Sequence, residues 1–466
     1  MLQVIVPPGF LPEKKYILHT LLHEFLGLTY TLSEGVGDEY LIWLDNGNLL
    51  TFQDHFFSRC NEEFGYLKKH LLPERVVRTK VPFLSGEEED LPILYGTDAC
   101  EIGPGRIECG CDLFASAFFF LTRWEEIVKK ERDWHERFPA RYSLAMEHDL
   151  LRRPVVNEYV EWLWNLLQAL GIEQARKERP FRFFLTHDVD FLYQWRSKKN
   201  MLRTLGGDLL KRRDAKQAFS TCGKIAGVAR GTRKDPYDTF DWLMELSESR
   251  NIRSRFYWMS GGVTKHDRHF EITEPRAREL LEEMERRGHV VGFHPSYATF
   301  DDAKQFGLEK EALERELGGA TVTEGRQHYL RFSVPGTWQI WEDAGLSCDS
   351  SLGYAEAPGF RAGVCYEYPV FNVETREMLQ VRERPLIAME LSYLDPQYLG
   401  WSEERVLHDV LKLAETCRRY GGDFVLLWHN SSLDTPEKQD LYRRLVITIA
   451  RWTEEYELRK VREWAR

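Results

Sequence analysis

After residue 180, apolar runs of strand length alternate with amphipathic segments of helix length. The strand-like runs cover residues 181–186, 253–259, 289–293, 328–332, 345–348, 385–391 and 423–428. The helical segments between them include PYDTFDWLMELSESR, EPRARELLEEMERRG and EERVLHDVLKLAETCRRYG. Strand and helix in alternation predict a parallel sheet. About seven such strands favour an α/β fold, either a barrel or a doubly wound sheet.

The first 175 residues follow a different pattern, in which short strand-like runs mix with helices. YLIWLDNG and NLLTF flank the turn signal Asn46-Gly47 and predict two strands joined by a tight turn. Residues 111–130 predict a helix capped by Asp112, and residues 154–170 predict a second one that ends before Gly171. The polar segment 171–180 separates the two patterns. We therefore expect a smaller N-terminal α/β domain, 1–175, and a second domain, 180–466.

Composition places the chain among globular proteins and excludes some partners. The 466 residues are 43% hydrophobic and carry a net charge of −11, which argues against general nucleic-acid binding. The chain has no apolar stretch long enough to span a membrane, and its start, MLQVIVPPGFLPEKK, has none of the features of a signal peptide. The eight cysteines are scattered, which is typical of reduced thiols. We expect a cytoplasmic protein.

Charge is distributed unevenly along the chain. Residues 191–234 contain 12 lysines and arginines but only two acidic residues, a balance of +10 that leaves −21 for the rest. A solvated helical face explains this segment most simply. A sharper hypothesis is that Lys211, Arg212 and Arg213 bind an anionic substrate group such as a diphosphate, or that 196–234 makes a peripheral contact with an anionic membrane surface.

Most of the predicted strands end beside a side chain that could bind a metal or transfer a proton. These side chains are Asp188, Asp190, His294, Arg331, Asp349, Glu390 and His429. In α/β barrels the active-site residues lie at the carboxyl ends of the strands. Imidazole and carboxylate groups suit zinc, iron, cobalt or nickel, and metal-assisted hydrolysis could use a carboxylate as base and a histidine as acid. Capped turns, salt bridges and structural histidines are the alternatives for each residue alone.

Five segments, taken in chain order, resemble the motifs of the polysaccharide deacetylases of carbohydrate esterase family 4, the NodB homology domain. They are THDVD, GHVVGFHPSY, LRFSVP, CDSSLGY and LLWHNS. The resemblance runs from about Pro180 to the C-terminus. It implies a distorted (β/α) barrel and a metal-dependent hydrolase that removes acetyl groups from a sugar or glycan.

The resemblance also implies a role for individual residues. The catalytic residues would be Asp188 as base, His429 as general acid and Arg331, which would orient the base. Asp190 and His294 would bind a divalent metal, zinc before iron, cobalt or nickel. The segments also contain Tyr297, Asp349, Ser350 and Asn430, which we expect to contact the substrate.

One departure from the family pattern affects the metal site. The second motif of the family has another metal-binding histidine four residues after the first, and here that position is Ala298. The third ligand could be His328, Asp188, His187 or Asp301, and we favour His328 because it lies on a neighbouring predicted strand. The missing histidine also leaves open a non-catalytic carbohydrate-binding or assembly protein. Hydrolysis of a different amide or ester is a third alternative.

The N-terminal part resembles the accessory domain that precedes such deacetylase domains in bacterial polysaccharide-synthesis proteins. The similar segments are CDLFASAFFFLTRWEE and RPVVNEYVEWL. The combined resemblance implies a role in exopolysaccharide or cell-envelope biosynthesis. We expect the partner to be an acetylated sugar, nucleotide- or lipid-linked.

Overall fold

The computed structural model describes residues 1–61, 65–84, 90–195, 198–206, 215–267 and 269–464. In the first part of the chain the strands are β1 Leu2–Val6, β2 Tyr30–Glu34, β3 Glu39–Trp43, β4 Leu49–Gln53, β5 Val77–Thr79, β6 Leu91–Ile93, β7 Gly96–Gly103 and β8 Arg106–Cys111. The helices are α1 Leu11–Leu18, which continues as a wider turn over His19–Phe25, α2 Leu113–Thr122, α3 Glu125–Val128, α4 Leu144–Glu147 and α5 Val155–Ala169.

Six of these strands form one mixed sheet in the order β2-β1-β3-β4-β8-β7. The turn at Asn46-Gly47 joins the antiparallel pair β3 and β4, as the sequence predicts. Asp112 caps α2 by accepting a hydrogen bond from the backbone of Ala115 at 2.9 Å. The predicted helix over 111–130 is nevertheless too long, because Arg123 adopts a left-handed conformation (φ 53°) and separates α2 from α3.

The second part of the chain alternates strands and helices. Its strands are β9 Arg182–Val189, β10 Arg255–Trp258, β11 Val290–Phe293, β12 Glu324–Gly325, β13 Cys348–Asp349, β14 Tyr368–Asn372, β15 Glu377–Glu383, β16 Ala388–Met389 and β17 Asp423–Leu427. Its helices are α6 Lys198–Gly206, α7 Ala215–Ala229, α8 Phe240–Glu248, α9 Pro275–Arg286, α10 Ala303–Glu316, α11 Gly336–Asp343, α12 Glu390–Leu394, α13 Glu403–Arg419 and α14 Pro436–Trp464.

These nine strands form one sheet in the order β14-β15-β13-β12-β11-β10-β9-β17-β16. Neighbours from β15 to β16 are parallel, and only β14 pairs antiparallel, with β15. Among the described residues, no strand pairing joins β15 to β16 to close the sheet. The predicted parallel α/β architecture is confirmed in this coarse form, and closure into a barrel stays a prediction.

Strand β9 lies between β10 and β17 and positions the first motif. Its residues from Phe184 to Val189 are buried, which is typical of a central strand covered on both faces. Successive side chains of a strand point to opposite faces, so Asp188 shares a face with Thr186 while His187 points to the other. Asp190 follows directly after the strand.

Residues 328–332 do not form the strand that their apolar pattern predicts. His328–Leu330 is a short 3-10 turn, in which Tyr329 (φ 60°) and Leu330 (φ 53°) have left-handed backbone conformations. The fourth parallel strand is β12, a pair of residues just before this turn. The predicted strand over 385–391 is also shortened, to β16, because Glu390 begins α12. The β14–β15 hairpin was not predicted.

The two parts of the chain share one buried apolar cluster. It contains residues of both sheets, for example Phe118 of α2 and Phe371 of β14, whose rings are 5.7 Å apart. Residues of the first part can therefore reach the edge of the second sheet. Among the described residues, no helix has both the length and the apolar character that crossing a bilayer requires.

Candidate metal centre and its cavity

Three side chains converge beyond the carboxyl ends of β9, β11 and β12. Asp190, His294 and His328 each contribute one atom to a group whose members lie within 4.8 Å of one another. Nε2 of His294 is 3.2 Å from Oδ1 of Asp190, and Nε2 of His328 is 3.8 Å from the same oxygen. The turn at residues 328–330 brings His328 to this point, and its backbone donates a hydrogen bond to Pro295 just after His294. Two imidazoles and a carboxylate form a common catalytic zinc set.

Hydrogen bonds at Nδ1 fix the orientation of both imidazoles. His294 donates from Nδ1 to the carbonyl of Arg326 at 2.6 Å, and His328 donates from Nδ1 to Asp267 at 3.2 Å. Each bond leaves Nε2 directed at Asp190. Metal-binding histidines show this arrangement, in which the outer partner sets the tautomer and the ring orientation.

The electrostatics of Asp190 also fit a bound cation. Burial alone would raise the pKa of Asp190, but the imidazoles of His294, His328 and His429 hold that pKa well below its usual range. Burial would likewise lower the pKa of His294, yet Asp188 and Asp190 raise it. Among the described residues, neither Oδ1 of Asp190 nor Nε2 of His294 has a hydrogen-bond partner. Buried polar atoms without partners are costly, and a metal ion bound to both would remove that cost.

Asp188 lies beside the cluster and is held by an arginine. Nη1 of Arg326 donates to its Oδ1 at 2.8 Å, and its Oδ2 is 3.9 Å from Nε2 of His294. The same guanidinium also donates to Thr186 and to Ser350. The carboxylate of Asp188 is therefore oriented and faces the metal-binding atoms.

Arg331, which we expected to orient Asp188, contacts other groups in this structure. Arg331 follows the turn at 328–330 instead of ending a strand, and its guanidinium donates to the carbonyls of His135 and Tyr297 and pairs with Glu136. The guanidinium that contacts Asp188 belongs to Arg326, directly after β12. In the sequence, Arg326 directly follows β12, which has only two residues, Glu324 and Gly325. A strand this short cannot be recognised from its pattern, so the position of Arg326 at a strand end was not predicted.

His429 follows β17 and faces Asp190 from the other side. Its Nε2 is 3.7 Å from Oδ2 of Asp190, and its Nδ1 donates to Glu390 at 2.7 Å. Ser432 donates to the same oxygen of Glu390 at 2.7 Å. Burial alone would lower the pKa of His429, but Glu390, Asp190 and Asp188 raise it to about 10. Glu390, noted in the sequence only as a strand end, thus orients His429 and favours its protonated form.

These groups open into a cavity of about 380 Å³. Asp188, Asp190, His294, His328 and His429 all lie on its wall. The apolar part of the wall comprises Phe191, Leu330, Ala355, Met389, Leu391 and Leu427. Trp134, His135 and Arg137 from the first part of the chain complete one side, a contribution that the sequence did not predict. The volume falls within the range of small-molecule sites, ~300–1,000 Å³.

The four predicted substrate contacts do not line this cavity. Asp349 and Ser350 are fully buried, and Ser350 donates to the carbonyl of Arg384 at 2.8 Å. Asn430 is also buried, where its amide donates to the carbonyls of Phe191 and Tyr237 at 2.8 Å. Each of the three side chains makes internal hydrogen bonds, although Oδ2 of Asp349 and Oδ1 of Asn430 have no partner among the described residues.

Tyr297, the fourth predicted substrate contact, lies one layer behind the wall, because its hydroxyl contacts Nδ1 of His135 at 2.9 Å.

Of the other candidates for the third ligand, His187 points away from the cavity: its Nδ1 donates to the carbonyl of Trp428 at 2.7 Å and its ring packs on Phe256. Burial lowers the pKa of His187 to about 4. Asp301 is exposed and not part of the metal-binding group.

Comparison with known proteins gives one match to a family model and several matches to solved structures. The family model described as "Family of unknown function (DUF7033)" matches residues 2–171. Its description gives no activity, so the role of this part stays a prediction. No curated protein matches the chain.

Among solved structures, a polysaccharide deacetylase from Mycobacterium smegmatis is 15% identical, with 61% of this chain and 92% of that chain covered and a TM-score of 0.39. A second polysaccharide deacetylase, from Pseudomonas aeruginosa PAO1, is 13% identical, with 62% and 96% covered and a TM-score of 0.35. Puue allantoinase is 12% identical, with 59% and 89% covered and a TM-score of 0.36. All three TM-scores are below 0.5.

Proposed function

We propose that this protein is a metal-dependent hydrolase that removes acetyl groups from a sugar or glycan. The observation that supports this best is the convergence of Asp190, His294 and His328 on one point, with Nδ1 of each imidazole bonded and Nε2 directed inward. His328 offers a third metal ligand in place of the histidine that is missing at Ala298. This favours a catalytic protein over the non-catalytic alternative. Two imidazoles and one carboxylate are a common ligand set of catalytic zinc, so we propose zinc as the metal.

Each group around the metal-binding atoms has a role in amide or ester hydrolysis. A bound divalent metal would act as a Lewis acid toward the acyl carbonyl and lower the pKa of water to about 7. Asp188, held by Arg326, is placed to accept the proton of the attacking water. His429, held by Glu390, is placed to give a proton to the leaving amine or alkoxide. The apolar wall formed by Leu330, Met389 and Leu427 suits the methyl group of an acetyl.

Metal analysis combined with acetate release tests this proposal. We expect the purified protein to contain about one equivalent of zinc and to release acetate from N-acetylated sugars after reloading with zinc. Asp190→Ala and His294→Ala should lose both, since three protein ligands is the usual minimum for catalytic zinc. His19→Ala, a histidine of the first part that lies outside the cavity wall, is the matched control and should keep both. Protein that binds no metal and releases no acetate would refute the proposal.

The finer features of the substrate are also part of the proposal. We infer that the acetylated sugar is an intermediate of polysaccharide or cell-envelope synthesis, nucleotide- or lipid-linked, and that the basic segment 196–234 binds its anionic part. Lys211, Arg212 and Arg213 lie outside the described residues, so this rests on charge alone. Replacing all three by glutamine should weaken binding of a diphosphate-linked substrate, most strongly at low salt. Equal affinity for wild type and variant at low salt would contradict it.

A further inference from the structure

The side of the cavity formed by the first part of the chain has features of a binding surface. Trp134 lines the cavity, yet 74% of its surface is exposed. Isolated exposed aromatic side chains are common on protein surfaces and need no explanation. Trp134 is not isolated, because its ring lies 3.6 Å from that of His135, which lies 4.6 Å from that of Tyr329.

This aromatic group extends to the candidate metal centre. The ring of Tyr329 lies 4.7 Å from that of His328, so ring contacts link exposed Trp134 at the rim to a proposed metal ligand. Trp134 is therefore close enough for one substrate molecule to contact both its ring and the cluster.

The segment that presents Trp134 is held rigidly against the second part of the chain. Asp133 accepts hydrogen bonds from the backbones of His135 and Arg137 at 2.8 and 2.9 Å. Arg137 donates to the carbonyl of Tyr329 at 3.0 Å, and Arg331 donates to the carbonyl of His135 at 2.8 Å. An exposed aromatic ring on a fixed backbone binds a ligand with little loss of conformational entropy.

We propose that Trp134 forms a second sugar subsite, on which a pyranose ring adjacent to the acetylated one stacks. This inference rests on the proposed function, since it assigns the second ring of that substrate. The apolar C–H face of a pyranose fits an exposed indole, and Asp395 and Gln397, which also line the cavity, offer polar groups to the sugar hydroxyls. The cavity is near the small end of ligand sites, so a substrate of two or more rings would extend to this rim.

Binding should be measured in an Asp188→Asn background, where turnover is slowed enough for a titration. The probes are β-1,4-linked N-acetylglucosamine of one and three rings, titrated by calorimetry into zinc-loaded protein. Adding Trp134→Ala should weaken trisaccharide binding by about 5- to 30-fold and leave the monosaccharide unchanged. Trp134→Phe should retain most of the affinity. Trp43→Ala is the matched control, because Trp43 is a partly exposed tryptophan of β3 that does not line the cavity.

The outcomes separate this inference from the proposed function. Equal trisaccharide affinity with and without Trp134, an equal loss for one ring and three rings, or no trisaccharide binding at all would overturn the subsite. Trp134-dependent binding without acetate release by the wild-type protein would instead overturn the deacetylase and leave the subsite standing. Unchanged thermal unfolding of Trp134→Ala would show that the affinity loss is not a folding defect.

Discussion

Two buried clusters of charged side chains in this protein differ in whether the atoms without hydrogen-bond partners converge on one point: in the first only Nη1 of Arg123 lacks a partner among the described residues, whereas in the second Oδ1 of Asp190 and Nε2 of His294 lie 3.2 Å apart beside a cavity. In the first, Arg123 and Arg361 both bond to Glu126, at 2.9 and 2.6 Å. All three side chains are at most 2% exposed, and the cluster joins the α2–α3 junction to the second part of the chain. In the second cluster, Asp190 and His294 approach each other while atoms of both remain without hydrogen-bond partners among the described residues.

The difference distinguishes a structural ion cluster from a ligand site. Burial alone would raise the pKa of Glu126, but Arg361 and Arg123 lower it, so its charge is compensated by protein groups. The lone pairs of the second cluster instead converge on a shared point beside a cavity. A buried charge that is paired with an opposite charge of the protein supports the fold. Lone pairs that converge on one point without a hydrogen-bond partner instead indicate a site for a cation.

The largest expected effect is on catalysis. Asp188→Asn should lower kcat by about 10²- to 10⁴-fold, because the amide cannot accept the proton that the carboxylate takes. Zinc content should stay near the wild-type level, since Asp188 is assigned as base and not as ligand. Steady-state acetate release and metal analysis on one preparation check both statements. Loss of the metal together with activity would instead make Asp188 a ligand.

The next effect falls on the paired cluster and should appear in stability. Glu126→Ala leaves Arg123 and Arg361 buried without their shared partner, so we expect the free energy of unfolding to fall by about 3–5 kcal/mol. Urea denaturation measures it. Glu161→Ala, which breaks the more exposed pair with Arg176, is the control and should cost no more than about 1 kcal/mol. Comparable losses in the two variants would contradict the comparison.

A smaller effect concerns the outer partner of His328. Asp267→Asn keeps the shape of the side chain but weakens the acceptor at Nδ1 of His328, so zinc affinity should fall by about 10- to 100-fold. Competition with a chelator gives the affinity. Asp241→Asn, at the exposed pair with Lys234, should leave zinc affinity unchanged. If Asp267→Asn binds zinc as tightly as wild type, His328 is not a ligand.

The smallest effect tests the opposite face of β9. His187 has a pKa of about 4 in the folded protein and about 6.5 when unfolded, so below pH 6.5 the unfolded chain binds a proton that the folded chain does not. This group should therefore lower the free energy of unfolding by about 2 kcal/mol between pH 7 and pH 5. His187→Gln removes that contribution. Identical pH dependence of unfolding in wild type and His187→Gln would show that His187 is not buried as a neutral group.

Local patterns in the sequence predicted much of the second sheet. Long apolar runs such as the one that forms β9, and helices with clear amphipathic spacing, appear where expected. Short elements were harder to place, because they carry no periodic signal: β12, with two residues, was missed, and the run predicted over 345–348 overlaps the two-residue β13 only at Cys348. The apolar pattern of residues 328–332 resembled that of a strand, because a buried turn also needs apolar side chains. Only the backbone conformation distinguishes the turn from a strand.

The sequence alone determined the residue types of the candidate centre and the face of β9 that carries Asp188. It also placed Asp190 and His294 just after strands, where parallel sheets gather their functional groups. Only the tertiary structure decided that His328 joins them, that Arg326 and not Arg331 holds Asp188, and that Trp134 reaches the same cavity. These contacts join residues far apart in the chain and depend on strand register, left-handed turns and the packing of the two sheets. Local periodicity carries no information about such distances.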